Sequence, residues 1–243
     1  MKAMILARRA AKEILRDPLN LAFGLGFPVV LLALPSAVQA RVPVDLFRIE
    51  RLAPGVAVFG LSFLTLFFAT LTARDRESAL LQRLYTAPLR PVDFMLGYLA
   101  PALPLAAAQC AVCYLAAALL GLAATPSLLA ALVLILPAAL FFVSFGLLCG
   151  SVLTVKQVGG LCGALFTNLA AWFSGAWFDL KLVGGVFQKI ANCLPFVHAV
   201  ELERAALSGD YRAVPLHLAW TLAYALPTLA AASLLFSRQM QTP

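Results

Sequence analysis

The sequence predicts an all-α integral membrane protein with six transmembrane helices, an N-terminal amphipathic helix and a semi-polar outer segment that re-enters without crossing. Three observations predict it. Of the 243 residues, 63% are hydrophobic and only 12% are charged, about half the charged share of a soluble domain. Several uncharged runs reach the roughly 20 residues a helix needs to cross the hydrocarbon core. The charges gather in short connecting stretches, so that residues 94–155 carry none. The whole chain, 1–243, reads as one transmembrane domain.

Residues 1–18 form the first element. At 100° per residue, Met4, Ala7, Ala10, Ala11, Ile14 and Leu15 share an apolar arc, facing Lys2, Arg8, Arg9, Lys12, Glu13 and Arg16 across the helix; Ile5 and Leu6 are exceptions. Such a helix lies in the headgroup plane and stops at Pro18. Spans follow at 19–40, 54–73, 96–122, 126–155, 158–178 and 216–236. Gly24, Gly26, Pro28 and Pro35 predict a kinked or broken first span. Between spans two and three lies a charged segment, 74–95, in which Pro88 and Pro91 end a short helix. The stretch 179–215 has apolar pieces, 183–186 and 194–200, too short to cross, which predicts re-entrant or surface-lying helices.

Six spans put both termini on one side. That side holds eleven Lys/Arg with net charge +6, against seven Lys/Arg and +1 on the other. The positive-inside rule therefore places both termini and segment 74–95 in the cytoplasm. The overall charge of +7 belongs to membrane orientation rather than to a nucleic-acid face.

What the spans lack limits the chemistry. None of the six carries a formal charge, whereas ion- or proton-coupled carriers keep such residues despite their insertion cost of about 2.5–3.5 kcal/mol. No Gly-Lys dipeptide occurs, so there is no phosphate-binding loop. The five cysteines mostly lie in apolar runs; Cys110 and Cys113 have C-x-x-C spacing but no second ligand pair. His198 and His217, the only histidines, read as interfacial. In-span polar residues, Ser62, Thr65, Thr70, Gln109, Ser144, Thr167, Asn168, Ser174 and Thr221, predict helix–helix hydrogen bonds worth about 0.6 kcal/mol each. Phe63 with Phe67, and Asn168 with Trp172, are spaced to share helix faces and are candidates to line a path for an amphipathic substrate.

The order and spacing of several pieces carry a resemblance. They are Ala11–Pro18, Ala53–Gly60, Asp75-Arg76-Glu77, Arg83-Leu84, Thr86-Ala87-Pro88-Leu89, Asp93 and Leu96-Gly97-Tyr98. Later come Ser174-Gly175-Ala176-Trp177-Phe178, Leu194-Pro195-Phe196, Arg204 and Ser208-Gly209-Asp210. Together, across essentially the whole chain, they resemble the ABC-2 type permeases, the membrane subunits of ABC exporters.

The resemblance implies a half-transporter in a bacterial plasma membrane that pairs with a second permease copy, sits among membrane lipids and docks cytoplasmic ABC ATPase subunits. ATP and magnesium would be held by those subunits, with no cofactor or nucleic acid bound by this chain. It further implies a connecting helix at Lys12–Pro18, a coupling helix at Asp75–Tyr85 and an outer gate within Leu182–Val200. The coupling residues would be Lys12, Glu13, Arg16, Asp75, Arg76, Glu77, Leu80, Arg83 and Leu84, and the gate residues Leu194, Pro195 and Phe196. For Glu77 the bland alternative is a helix-start carboxylate favoured by the dipole and paired with Arg74. The compact outer loops and uncharged, aromatic spans suit an amphipathic or hydrophobic cargo such as a drug, antibiotic, lipid or glycolipid. An ion-coupled carrier and a lipid-processing membrane enzyme are the alternatives.

Overall fold

The computed structural model describes residues 2–42, 47–78 and 91–241. The described residues are helical or in turns. Helix α1 (Lys2–Leu15) is followed by α2 (Pro18–Leu21), a π-helical turn (Ala22–Gly26) and α3 (Phe27–Gln39). Then come α4 (Ile49–Glu77), α5 (Pro91–Leu119) and α6 (Ser127–Val152). After α7 (Val155–Val158), a second π-helical run (Gly159–Phe166) and α8 (Thr167–Phe173), three helices fill the expected outer segment. These are α9 (Leu180–Val183), α10 (Gly185–Cys193) and α11 (Pro195–Ser208). Helix α12 (Val214–Gln241) closes the chain.

Five helices are long and apolar enough to cross a membrane: Ala22–Gln39, Ile49–Glu77, Val92–Leu119, Ser127–Val152 and Val214–Gln239. The expected fifth span is helical over 155–173 but divided by the Gly159–Phe166 π run, where Gly159, Gly160 and Gly163 loosen the helix. The first span is one continuous helical run to Gln39, not a broken one; its irregularity is the π turn Ala22–Gly26 at the expected glycines. Pro28, which lacks an N–H, comes just after this π turn, as expected where a proline cannot donate to the preceding turn. Helix α4 runs further than expected at both ends: it starts at Ile49, places Pro54 inside the helix, and continues through Asp75–Glu77.

Helix α4 is the axis of the bundle, with most of its length buried. It lies closest to α6. A Cβ on Gly146 would come within 2.6 Å of the Thr65 carbonyl oxygen, and one on Gly150 would collide with that of Ala69. The Gly-x-x-x-Gly spacing thus lets two backbones meet, as small residues do between membrane helices. The Thr65 hydroxyl donates across the seam to the Phe142 carbonyl at 2.7 Å, and Gln109 Nε2 donates to the Ala57 carbonyl at 3.2 Å. Those two make the expected interhelical bonds. Ser62, Thr70, Thr167, Asn168, Ser174 and Thr221 instead donate to carbonyls three to five residues back in their own segment. Short hydroxyl and amide side chains find their own preceding turn within easier reach than a neighbouring helix.

Helix α1 does not simply float on a surface. Leu6, Ala10 and Ile14 face the bundle, with Leu6 seated on Gly97 of α5. Met4 and Leu15, placed by periodicity on the apolar arc, are exposed, as is Ile5. Leu6, an exception in the pattern, is a packing residue: the inward face is set by docking on α5, not by the widest apolar arc. At the opposite end, α11 is wedged among α4, α6 and α12 and is buried along most of its length. Gly209 ends it in the left-handed conformation at φ 74°. Helices α9 and α10 expose Leu182, Val183, Val186 and Ile190.

Candidate functional site: a charged hub at the α1 end

Of the four consecutive charged residues in the last turn of α4, the final three, Asp75, Arg76 and Glu77, engage different helices. Asp75 is buried although it is an acid. It is held bidentately by Arg9 of α1: Nη1 donates to Oδ2 at 2.9 Å and Nη2 donates to Oδ1. The Tyr98 hydroxyl of α5 donates to Oδ2 at 2.6 Å. Arg9 Nη2 also donates to Glu13 Oε1 at 2.7 Å. Burial alone would pull the Arg9 guanidinium down, but Asp75 and Glu13 outweigh it and hold Arg9 above its ordinary range. A planar guanidinium against a carboxylate is the geometry that supports such a pair away from water.

Arg76 turns the other way. Its Nη1 donates to the carbonyls of Ser151 and Val152 at 3.2 and 3.1 Å, and Nη2 to that of Leu153 at 2.6 Å. It therefore caps the end of α6, where unpaired carbonyls concentrate negative charge. Gln239 of α12 donates to the same Ser151 carbonyl at 2.7 Å. Glu77 Oε1 accepts from the Val155 N–H at 2.9 Å, the first helical residue of α7. Glu77 is thus a helix-start carboxylate, but of α7 rather than of its own helix. Thr154 and Gln157 complete the start of α7 with a reciprocal capping box.

Helix α4 thereby grips α1, α5, α6 and α7 through one turn, immediately before the segment 79–90. Asp75, Arg76 and Glu77 belong to α4 and are engaged within the chain, not displayed from a separate helix. Leu80, Arg83 and Leu84 lie outside the described residues. Lys12 and Arg16 are exposed, and Glu13 is half-buried beside Arg9. Glu13, Arg16, Asp17, Arg74 and Asp75, with Phe67, line a cleft of about 380 Å³ between α1–α2 and α4.

The two aromatic candidates separate. Phe63 meets Phe27 and Phe59 edge-on at 5.3 and 5.7 Å, and with Phe67 lines a narrow apolar crevice shared with Leu21, Gly24 and Gln109. Trp172 is exposed, and Asn168 is exposed with its amide on the Ala164 carbonyl at 2.7 Å. Among the described residues no ring contact joins the two pairs. At the α11 end, Leu194 is the N-cap of α11, Pro195 its first residue, and Phe196 is buried against Phe141, Phe142 and Phe166 with ring centres 5.5–6.2 Å apart. Cys110 and Cys113 are both buried in the core.

Sequence reasoning missed Arg9 and Tyr98 as partners of Asp75; Tyr98 stood in the Leu96-Gly97-Tyr98 piece, but nothing local marked either as a partner. It also missed two couplings near α11. His198 and His217 bring their Nδ1 atoms to 3.0 Å while His198 stacks on Trp220, so α11 and α12 share a hydrogen bond. Arg204 joins Glu201 at 2.7 Å and donates to the carbonyls of Gly175 and Arg51 at 2.8 and 3.2 Å. That ties α11 to the turn after α8 and to the start of α4.

Comparison with known proteins agrees with this architecture. The ABC-2 type transporter family matches residues 1–207. Nodulation protein J of Sinorhizobium fredii (strain NBRC 101917 / NGR234) is 30% identical over 199 residues, covering 79% of this chain and 72% of the relative. The chain therefore belongs to the ABC-2 type transporter family, and is a multi-pass membrane component of an ABC transporter.

Proposed function

We propose that this chain is the permease subunit of an ATP-driven exporter in a bacterial plasma membrane, working as a pair of permeases with separate cytoplasmic ATPases. Both termini and the α1 end face the cytoplasm, in keeping with the excess of basic residues on that side. The helical run 155–173 serves as a sixth crossing, its π segment buried against α4 at Cys162. The outward segment α9–α11 acts as the gate, with Phe196 as its plug, and the cargo is an amphipathic or hydrophobic compound. Trp172 and Asn168, exposed on one protomer, meet the partner copy or the cargo.

The observation that carries the coupling mechanism is the triplet Asp75-Arg76-Glu77. A push on segment 79–90 by an ATPase reaches the last turn of α4 first. From there it passes rigidly to α1 through Arg9, to α6 through the carbonyls Arg76 caps, and to α7 through Val155. The direct ATPase contacts then fall to Arg83, Leu80 and Leu84, and to exposed Lys12 and Arg16.

Purification from native membranes tests the assembly: an ATPase should co-purify with the tagged chain, and its absence would count against an exporter. Transport into inverted vesicles tests the coupling. Glu77→Ala and Arg83→Ala should insert and assemble normally yet lose ATP-driven transport, and full transport by both variants would refute their coupling role.

A further inference from the structure

Glu203, on α11, is a fully buried carboxyl with no cation beside it among the described residues. Its Oε2 accepts the Tyr114 hydroxyl of α5, and its Oε1 has no partner among the described residues. Among the described residues, the surrounding elements supply no counter-charge. From α5, Cys110 and Cys113 face the Tyr114–Glu203 pair. Helix α6 has no titratable group except Cys149, and α8 has none. On α4, Arg51 pairs with Asp179. On α12, His217 pairs with His198, and the Tyr224 hydroxyl donates to the Cys193 carbonyl. Lys189 of α10 is exposed. On α11 itself, Arg204 is engaged by Glu201 and two backbone carbonyls.

A bare carboxylate in so dry a place is far costlier than a neutral acid. Burial pushes the Glu203 carboxyl up, to about 8, against the opposing hydrogen bond from Tyr114. Helix α11 has only 14 residues and carries the Phe196 plug at its first turn, so opening that end for cargo must bring water to α11.

We propose that Glu203 is a proton-binding site of the transport cycle, protonated while α11 is seated and ionised when that end of the bundle opens to water. The carboxyl O–H breaks on opening and its proton leaves to water; on closing the carboxylate takes one proton back. The opening step rests on the exporter reading above, whereas the resting proton does not.

Infrared difference spectroscopy of the full chain in lipid nanodiscs reads the proton directly. Near pH 6, in the range where a solvated carboxyl is already ionised, a C=O band of a protonated buried acid should be present and should titrate with a midpoint near 8. It should vanish in Glu203→Gln, survive in Glu201→Gln, and shift in frequency in Tyr114→Phe, which keeps the acid. No such band, or a band that persists in Glu203→Gln, overturns the site. With the co-purified ATPase, a non-hydrolysable ATP analogue should bleach the band; an unchanged band with the analogue bound overturns the link to opening. Failure of any ATPase to bind would sink the exporter reading alone, because the titration still decides whether Glu203 holds its proton.

Discussion

Asp75 and Glu203 are both buried acids, and each accepts a hydroxyl from a tyrosine of α5, Tyr98 and Tyr114. Those tyrosines lie roughly 24 Å apart along the helix at 1.5 Å per residue. There the likeness stops. Asp75 is gripped by a guanidinium on both oxygens, with a second acid, Glu13, on the same cation. Among the described residues Glu203 has one donor and one oxygen without a partner. The α1 end thus keeps its charge by pairing it, which suits the rigid transmission proposed for it. The α11 end keeps its acid by burial alone, which suits the change of state proposed for it.

Three substitutions probe that contrast, in decreasing order of expected effect. Arg9→Met leaves Asp75 buried without its cation. Breaking a buried pair this way costs about 3–5 kcal/mol, and the partial exposure of Arg9 moves the expectation to the low end. The double variant Arg9→Met, Asp75→Leu should recover part of the loss. Thermal unfolding in detergent checks both, and an unchanged single variant would show that the pair does not hold α1 in place.

Glu203 predicts a pH dependence of the opposite character. Its folded value, about 8, is raised above the ordinary 4.5, so the folded state binds the extra proton between those values. Its stabilisation is complete below 4.5, falls as pH rises through 8, and is gone above. The Tm should therefore be lower at pH 9 than at pH 5 by at least about 2–4 °C, the shift of 1 kcal/mol in a chain of this size. Glu203→Gln should shrink that difference, and an equal difference in the variant would contradict it.

The smallest effect belongs to the caps. Glu77→Gln keeps an acceptor for the Val155 N–H but drops the charge, and should cost about 0.3–1 kcal/mol, read by denaturant titration. A larger loss would mean that Glu77 carries structure beyond its cap.

How much of this was legible in the sequence depends on range. The irregular turn in the first span was written in Gly24, Gly26 and Pro28, because a missing N–H and absent side chains act locally. The apolar lengths of α4, α5, α6 and α12 were equally plain, and Asp75-Arg76-Glu77 stood out as a charged run at a span's edge. Their partners did not. Arg9 sits 66 residues from Asp75 and looked like one more residue of a solvated arc, while Leu6 was set aside by a periodicity that knew nothing of Gly97. The survey of charges inside spans overlooked Glu203 for a related reason. It lies between Leu202 and Arg204 in a segment too polar to cross, and only the wedging of α11 between α4, α6 and α12 makes that position dry.

The central claim is that the α1 end transmits the work of ATP hydrolysis through the Asp75 grip. The most direct measurement is substrate transported per ATP hydrolysed, in proteoliposomes with the cognate ATPase, for Asp75→Asn against the unaltered chain. Asparagine keeps an acceptor for Tyr98 but loses the charge-assisted bonds to Arg9, worth about 1.5–3 kcal/mol. The ratio should fall by about tenfold or more while ATP hydrolysis persists. A variant that assembles, hydrolyses ATP and transports at the unaltered ratio would contradict the account.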